Sequence, residues 1–194
     1  MAIADDTNVA EGRRLWTLAD VAALPSHLPT GPVCYELLRG NLLMMSPTGV
    51  PHAIVHTRIT GSLWTQCDQR KLGRTLIEAG LILSRSPDSL LAPDAMFFPA
   101  DREIRLSPEG WAETMPRLVV EIRSKNDTLR ELVEKAQLYV SAGVELVWIA
   151  DPQRRIVTVY RLGAEPGELN LSDVLADDAM LPGFRLPLVE LFAS

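Results

Sequence analysis

The alternation of apolar and polar positions divides this chain into three helical stretches and a larger number of strands. Thr17-Leu-Ala-Asp20 has the spacing of a capping box, with Asp in place of the usual Glu or Gln, and opens a short helix that Pro25 ends. After the turn-rich SHLPTGP segment, Val33–Leu38 and Asn41–Met45 flank Arg39-Gly40-Asn41 and read as a β-hairpin. Ser46-Pro47-Thr48-Gly49 breaks the chain. From Pro51 to Arg70, Ile54, Val55, Ile59, Leu63 and Trp64 recur at helical spacing, with Gly61 weakening the pattern and Gly73 stopping it.

Thr75–Leu83 and Leu90–Phe98 read as two strands joined by a turn at Ser84–Ser89. Residues 99–116, with Pro99, Pro108, Gly110 and Pro116, form an irregular excursion long enough to be a functional loop or lid. Leu118–Ile122 is a nearly all-apolar strand. Thr128-Leu-Arg-Glu131 caps a helix that Gly143 closes, and strands follow at Leu146–Ile149 and Ile156–Arg161. The tail from Gly163 is acidic and contains prolines. Strands mixed with helices in this order predict an α+β or mixed α/β layer fold. The helix linking Val119 to Val147 makes those two strands candidates for parallel neighbours in a βαβ unit.

Within this pattern two residues are out of place. Asp94 sits in LLAPDAMFF and Glu121 in LVVEI, and a carboxylate buried in such a run needs a partner, an ion or a strand end. Their similar depth in successive strands would bring both side chains to one sheet edge, with Arg123 on the face of Glu121. On the following helix Leu129, Leu132, Val133, Ala136 and Tyr139 form the buried stripe. Lys135 lies about 60° from Leu132, on the flank shared with Tyr139, and could reach Glu121. The plainer account is a strand-ending Asp94 and a surface pair between Glu131 and Lys135. Two embedded carboxylates with a flanking Lys nonetheless match what phosphodiester hydrolysis needs: hard oxygen ligands for Mg2+ or Mn2+, and a cation to orient the nucleophile or offset developing charge.

The chain has 194 residues, 47% apolar and 23% charged, as expected of one globular domain. The expected division is a flexible segment at 1–14 and a single domain at 15–194. The formal net charge of −6 argues against a protein that merely coats nucleic acid, although a bound ion or a local basic patch could offset it. No apolar run is long enough to cross a bilayer, and the acidic N-terminus lacks a signal core. Cys34 and Cys67 form no disulfide framework, and a cytoplasmic setting is expected. His52 and His56 share the spacing of a zinc helix, but Ala53 stands where the catalytic Glu would be. Arg58, Arg70, Lys71 and Arg74, with Arg102 and Arg105 on the long loop, are candidate contacts to a DNA backbone.

Ala92-Pro93-Asp94, Val120-Glu121-Ile122-Arg123-Ser124 and Glu134-Lys135 through Tyr139 resemble the PD-(D/E)XK nuclease superfamily. More closely, the chain resembles the Uma-two family of restriction endonucleases from about Thr17 to Arg161. That likeness includes Tyr35-Glu36-Leu37 with Gly40, Met45-Ser46-Pro47, His52, the Asp127-capped helix, and Ala142-Gly143-Val144 before Val147-Trp148-Ile149. The resemblance implies a restriction-endonuclease-like core, a mixed sheet flanked by helices. It implies metal-dependent hydrolysis of DNA, with Asp94 and Glu121 binding Mg2+ or Mn2+ and His52 completing the ion's ligands. Glu36 would stand at the ion or behind its ligands. The superfamily's basic residue two positions after the second acid is Arg123 here, so the working Lys would be Lys135 on the following helix. A homodimer pairing two active sites is the expected assembly for double-strand cleavage. The alternative is a degraded nuclease fold that binds nucleic acid or protein, motivated by Arg123.

Overall fold

The computed structural model describes residues 14–29, 31–45 and 47–193. The expected flexible segment lies outside the described residues apart from Arg14, as do Thr30 and Ser46. The elements in chain order begin with helix α1 (Leu18–Ala22) and strands β1 (His27–Leu28), β2 (Gly31–Pro32), β3 (Cys34–Leu38) and β4 (Asn41–Met45). Helix α2 (Val50–Leu63) runs into a π-helical turn at Trp64–Asp68. Next come β5 (Gly73–Ile77), β6 (Leu81–Ser84), β7 (Ser89–Leu91), β8 (Ala95–Pro99), β9 (Leu118–Ile122) and helix α3 (Leu129–Ser141). The chain closes with β10 (Leu146–Asp151), β11 (Ile156–Arg161), β12 (Gly167–Leu169), β13 (Val174–Leu175), β14 (Leu186–Pro187) and α4 (Leu188–Leu191).

The central sheet has six strands in the order β12-β11-β10-β9-β8-β5. Only β9 and β10 run parallel, joined by α3 as the expected βαβ unit. Both strands are buried throughout because helices cover both faces. On one face Leu118, Val120, Ile122 and Trp148 pack with Val55, Ile59 and Leu63 of α2. On the other, Val119, Val147 and Ile149 pack with Leu132, Ala136 and Tyr139 of α3. Alternation along β9 therefore puts Glu121 on the α3 side. The two capping boxes form as expected, Thr17 with Asp20 and Thr128 with Glu131.

A second sheet, ordered β4-β3-β7-β6, contains the expected hairpin and packs against α1. Here the structure corrects the reading of Thr75–Leu83 and Leu90–Phe98 as two continuous strands. Each is broken, at 78–80 and 92–94, and contributes β5 and β8 to the central sheet but β6 and β7 to the small one. Glu78 takes a positive φ of 50° and donates its N–H to the Pro93 carbonyl, which clamps the two breaks together. Gly80 lies under Trp111, whose ring would be 2.5 Å from any added Cβ. Asp94 consequently stands in a gap between strands rather than inside one.

The 99–116 excursion is anchored, not a lid. Ala112 exchanges backbone hydrogen bonds with Gly80 and Ile82, Ala100 donates to the Leu72 carbonyl, and no residue of the segment lines the cavity formed by His52, Asp94, Glu121 and Lys135. The acidic tail also packs: Leu175, Leu181, Phe184, Leu186, Leu188 and Leu191 join the α2-side core. No helix among the described residues is long and apolar enough to cross a membrane.

Candidate active site

Four separate segments meet at a cavity of about 180 Å³ where the two sheets diverge. His52 comes from the first turn of α2, Asp94 from the gap before β8, Glu121 from β9 and Lys135 from α3, and all four line it. The fold explains the convergence. The 92–94 gap lets Asp94 turn out of the sheet edge, and the β9 alternation presents Glu121 to the helix that carries Lys135.

Asp94 is held from both sides. Its Oδ2 accepts the Ile122 backbone N–H at 2.6 Å, and its Oδ1 lies 3.1 Å from His52 Nε2. Its own carbonyl is 2.9 Å from His56 Nε2. Burial works against a charged His52, but the bond to Asp94 and the charge of that carboxylate outweigh it and raise the imidazole above its ordinary value.

Glu121 is 6% exposed and Glu36 1%. Lys135 spans them, its Nζ 2.8 Å from Glu36 Oε2 and 3.7 Å from Glu121 Oε1. Tyr139, one helical turn further along α3, donates its hydroxyl to Glu121 Oε1 at 2.6 Å. The other Glu36 oxygen accepts the Ala92 N–H at 3.0 Å, tying the hairpin to the gap that presents Asp94. Burial pushes the Glu121 carboxyl up to about 7; Lys135 opposes the rise, and Asp94 and Glu36 reinforce it. Burial also works against the Lys135 charge, but Glu121 and Glu36 outweigh it and hold its pKa above the ordinary lysine value. The two glutamates thus favour the charged form of Lys135.

The sequence-predicted residues thus gather at one place, with differences in role. Glu36 does not line the cavity; its carboxylate pairs with Lys135 behind it. Lys135 pairs across to β3 and β9, not with Glu131, which caps its own helix. Arg123 points away: its guanidinium pairs with Asp151 at 2.8 Å and donates from Nε to the Asp127 carbonyl at 3.3 Å, clipping the end of β9 to β10.

The proposed basic contacts are mostly spent elsewhere. Arg58 donates to the carbonyls of Leu191 and Ala193, and Arg70 to those of Gln66 and Pro182. Arg102 is bound by the Met115 carbonyl and Glu145. Lys71 and Arg74 line a different cavity. Among the described residues, the other lysine that lines the cavity is Lys125, exposed in the 124–128 turn with Asn126 beside it. Its signal was its place, directly after the strand carrying Glu121, rather than membership of a basic cluster.

The donor set suits a hard divalent ion. Asp94 and Glu121 both line the cavity, Glu121 and Glu36 share the Lys135 ammonium, and burial disfavours Glu121 as an anion until more positive charge arrives. Among the described residues no three His, Cys, Asp or Glu side chains are placed to hold a metal ion together.

The sequence model of the Uma2 family, described as "Putative restriction endonuclease", matches residues 20–189. The chain belongs to this family. The Uma2 fold seen here is shared with the crystal structure of "a putative nuclease belonging to DUF820" from Anabaena variabilis ATCC 29413. The two superpose with a TM-score of 0.76 at 18% identity, over 91% of this chain and 97% of that one. The likeness shows that the two chains share one mixed α+β fold. A DrdV–DNA complex is a far more distant likeness, with a TM-score of 0.38 at 15% identity over 70% of this Uma2 chain and 77% of the other, and carries no weight here. No curated protein matches the Uma2 chain.

Proposed function

We propose that this chain is a Mg2+- or Mn2+-dependent endonuclease that hydrolyses DNA phosphodiester bonds at the Asp94–Glu121–Lys135 cavity. The observation that supports this reading is the convergence of two carboxylates and an ion-paired lysine, drawn from separate segments, on one small cavity in a nuclease fold. Asp94 and Glu121 are the residues to hold the ion. His52 could serve as a third ligand by exchanging Asp94 for the ion; in the observed geometry it orients Asp94. When bound, the divalent cation grips a phosphate oxygen and lowers the pKa of an attacking water.

The protein's own groups do the rest. The Ile122 N–H and His52 fix the Asp94 carboxylate, which limits reorganisation during the reaction. Glu36 holds Lys135 in place, and the ammonium orients the nucleophile and offsets charge developing on the phosphate. Lys125 contacts a backbone phosphate at the cavity rim. Double-strand cleavage would use a homodimer with two such cavities, a state that light scattering would reveal.

The alternative of a degraded binding module drew its motive from Arg123. Because Arg123 is committed to Asp151 and a lysine occupies the cavity from α3, that motive is weaker. The test is nicking of supercoiled plasmid with Mg2+, with Mn2+ and with chelator, alongside titration calorimetry with Mn2+. Wild type should bind Mn2+ and cleave only with metal, and Asp94→Ala should do neither. A wild-type protein that binds DNA but no Mn2+ would sink the enzyme and favour the binding module.

A further inference from the structure

We propose that Tyr139 is a positioning residue for the metal-binding carboxylate, a role distinct from its place in the α3 core. The inference rests on the metal reading of Glu121 above. Tyr139 is fully buried, and for packing alone a phenylalanine would serve. Its hydroxyl reaches across the core to Glu121 Oε1 at 2.6 Å, a short charge-assisted bond to a carboxylate. Lys135, four residues earlier on the same helix face, approaches the same oxygen at 3.7 Å. One hydroxyl donor and one ammonium charge from the same helix thus face Oε1. No donor among the described residues is bonded to Oε2, which leaves that oxygen to the cavity Glu121 lines.

The consequence is directional. A glutamate has three side-chain torsions, and its carboxylate can present either oxygen or swing away. Anchoring Oε1 to α3 leaves Oε2 as the oxygen available to the cavity that Asp94 also lines. Partners behind a metal ligand commonly contribute 10–100-fold to metal affinity or activity. Tyr139 is the partner on Glu121, as the Ile122 N–H is on Asp94.

The test is Tyr139→Phe, which keeps the ring and removes the hydroxyl. Titration calorimetry with Mn2+ on the DNA-free protein should show a dissociation constant raised about 10-fold or more. In cleavage assays with saturating Mn2+, KM for DNA should stay near the wild-type value while kcat falls. A merely structural hydroxyl would lower the unfolding midpoint and leave the Mn2+ constant unchanged, and that result overturns the proposal. The crystal structure of metal-free Tyr139→Phe is the second readout. Glu121 should leave its wild-type rotamer; a carboxylate that stays in place overturns the positioning role. If wild type itself binds no Mn2+, the metal reading falls, and the crystallographic arm alone decides whether Tyr139 positions Glu121.

Discussion

Replacing Lys135 with methionine removes the one ammonium that spans Glu36 and Glu121 while keeping a similar side-chain volume. At 2.8 and 3.7 Å, an effective dielectric of about 20 gives gross attractions of about 6 and about 4.5 kcal/mol. Most of that is offset by the cost of burying the three groups. Truncation leaves that cost in place without the compensation, and breaking a buried pair in this way typically costs about 3–5 kcal/mol. For a domain whose total stability is of order 5–15 kcal/mol, this is a large share.

The loss depends on pH, and its sign follows from the shifts. The Lys135 pKa is raised by folding, so its contribution is fully present below the ordinary lysine value and is lost only as pH rises through the higher folded one. At pH 8 the wild type therefore has the full benefit, and the variant must bury two carboxylates or protonate them. Near pH 5 Glu121 already holds its proton, since it titrates at about 7, so less is lost. Urea unfolding followed by circular dichroism, with chelator present, measures both conditions. The midpoint should drop by about 2 M at pH 8, for a slope of about 2 kcal/mol per molar, and by clearly less at pH 5. Equal midpoints for variant and wild type at pH 8 would refute the argument that Lys135 neutralises a buried carboxylate pair.

Three further outcomes are expected. Burial raises Glu121 to about 7, so its contribution to stability is fully present below its ordinary value of 4.5 and is lost as pH rises through about 7. Glu121→Gln should remove about 3 kcal/mol of that pH dependence between pH 4.5 and 8 in metal-free urea unfolding, while abolishing Mn2+ binding. Lys125→Ala should weaken DNA binding in Ca2+ and flatten the plot of log affinity against log salt by about one unit, with kcat retained; an unchanged slope removes Lys125 from the phosphate contact. Arg123→Lys keeps a charge for Asp151 and should cleave within about threefold of wild type, a loss of about 0.7 kcal/mol in the barrier. A loss of about 100-fold would instead place the guanidinium in the reaction.

Much of this was legible along the chain. Dense apolar runs in β9 and β10 require cover on both faces, so the βαβ unit and its two helical layers follow from local pattern. Glu121 and Asp94 drew attention for the same reason, since a carboxylate among apolar neighbours needs a compensating partner. Spacing on α3 placed Lys135 on the correct flank, because helix geometry fixes angles within one element.

What spacing cannot fix is which elements face each other. The splitting of two apparent strands between two sheets depends on the Glu78–Pro93 clamp and on Trp111 seated over Gly80, contacts between segments distant in sequence. The same is true of roles. Arg123 stands at the expected catalytic position but is bound by Asp151, a residue 28 positions away. Arg58 and Arg70 are basic yet spent on tail carbonyls. Tyr139 could not be told from a phenylalanine until Glu121 lay against its hydroxyl. The sequence by itself determined the elements, the buried faces and the candidate acids, because these depend on local periodicity and the cost of buried charge. Only the tertiary structure decided which donor meets which carboxylate, because hydrogen bonds and ion pairs act over about 3 Å and are set by packing between elements.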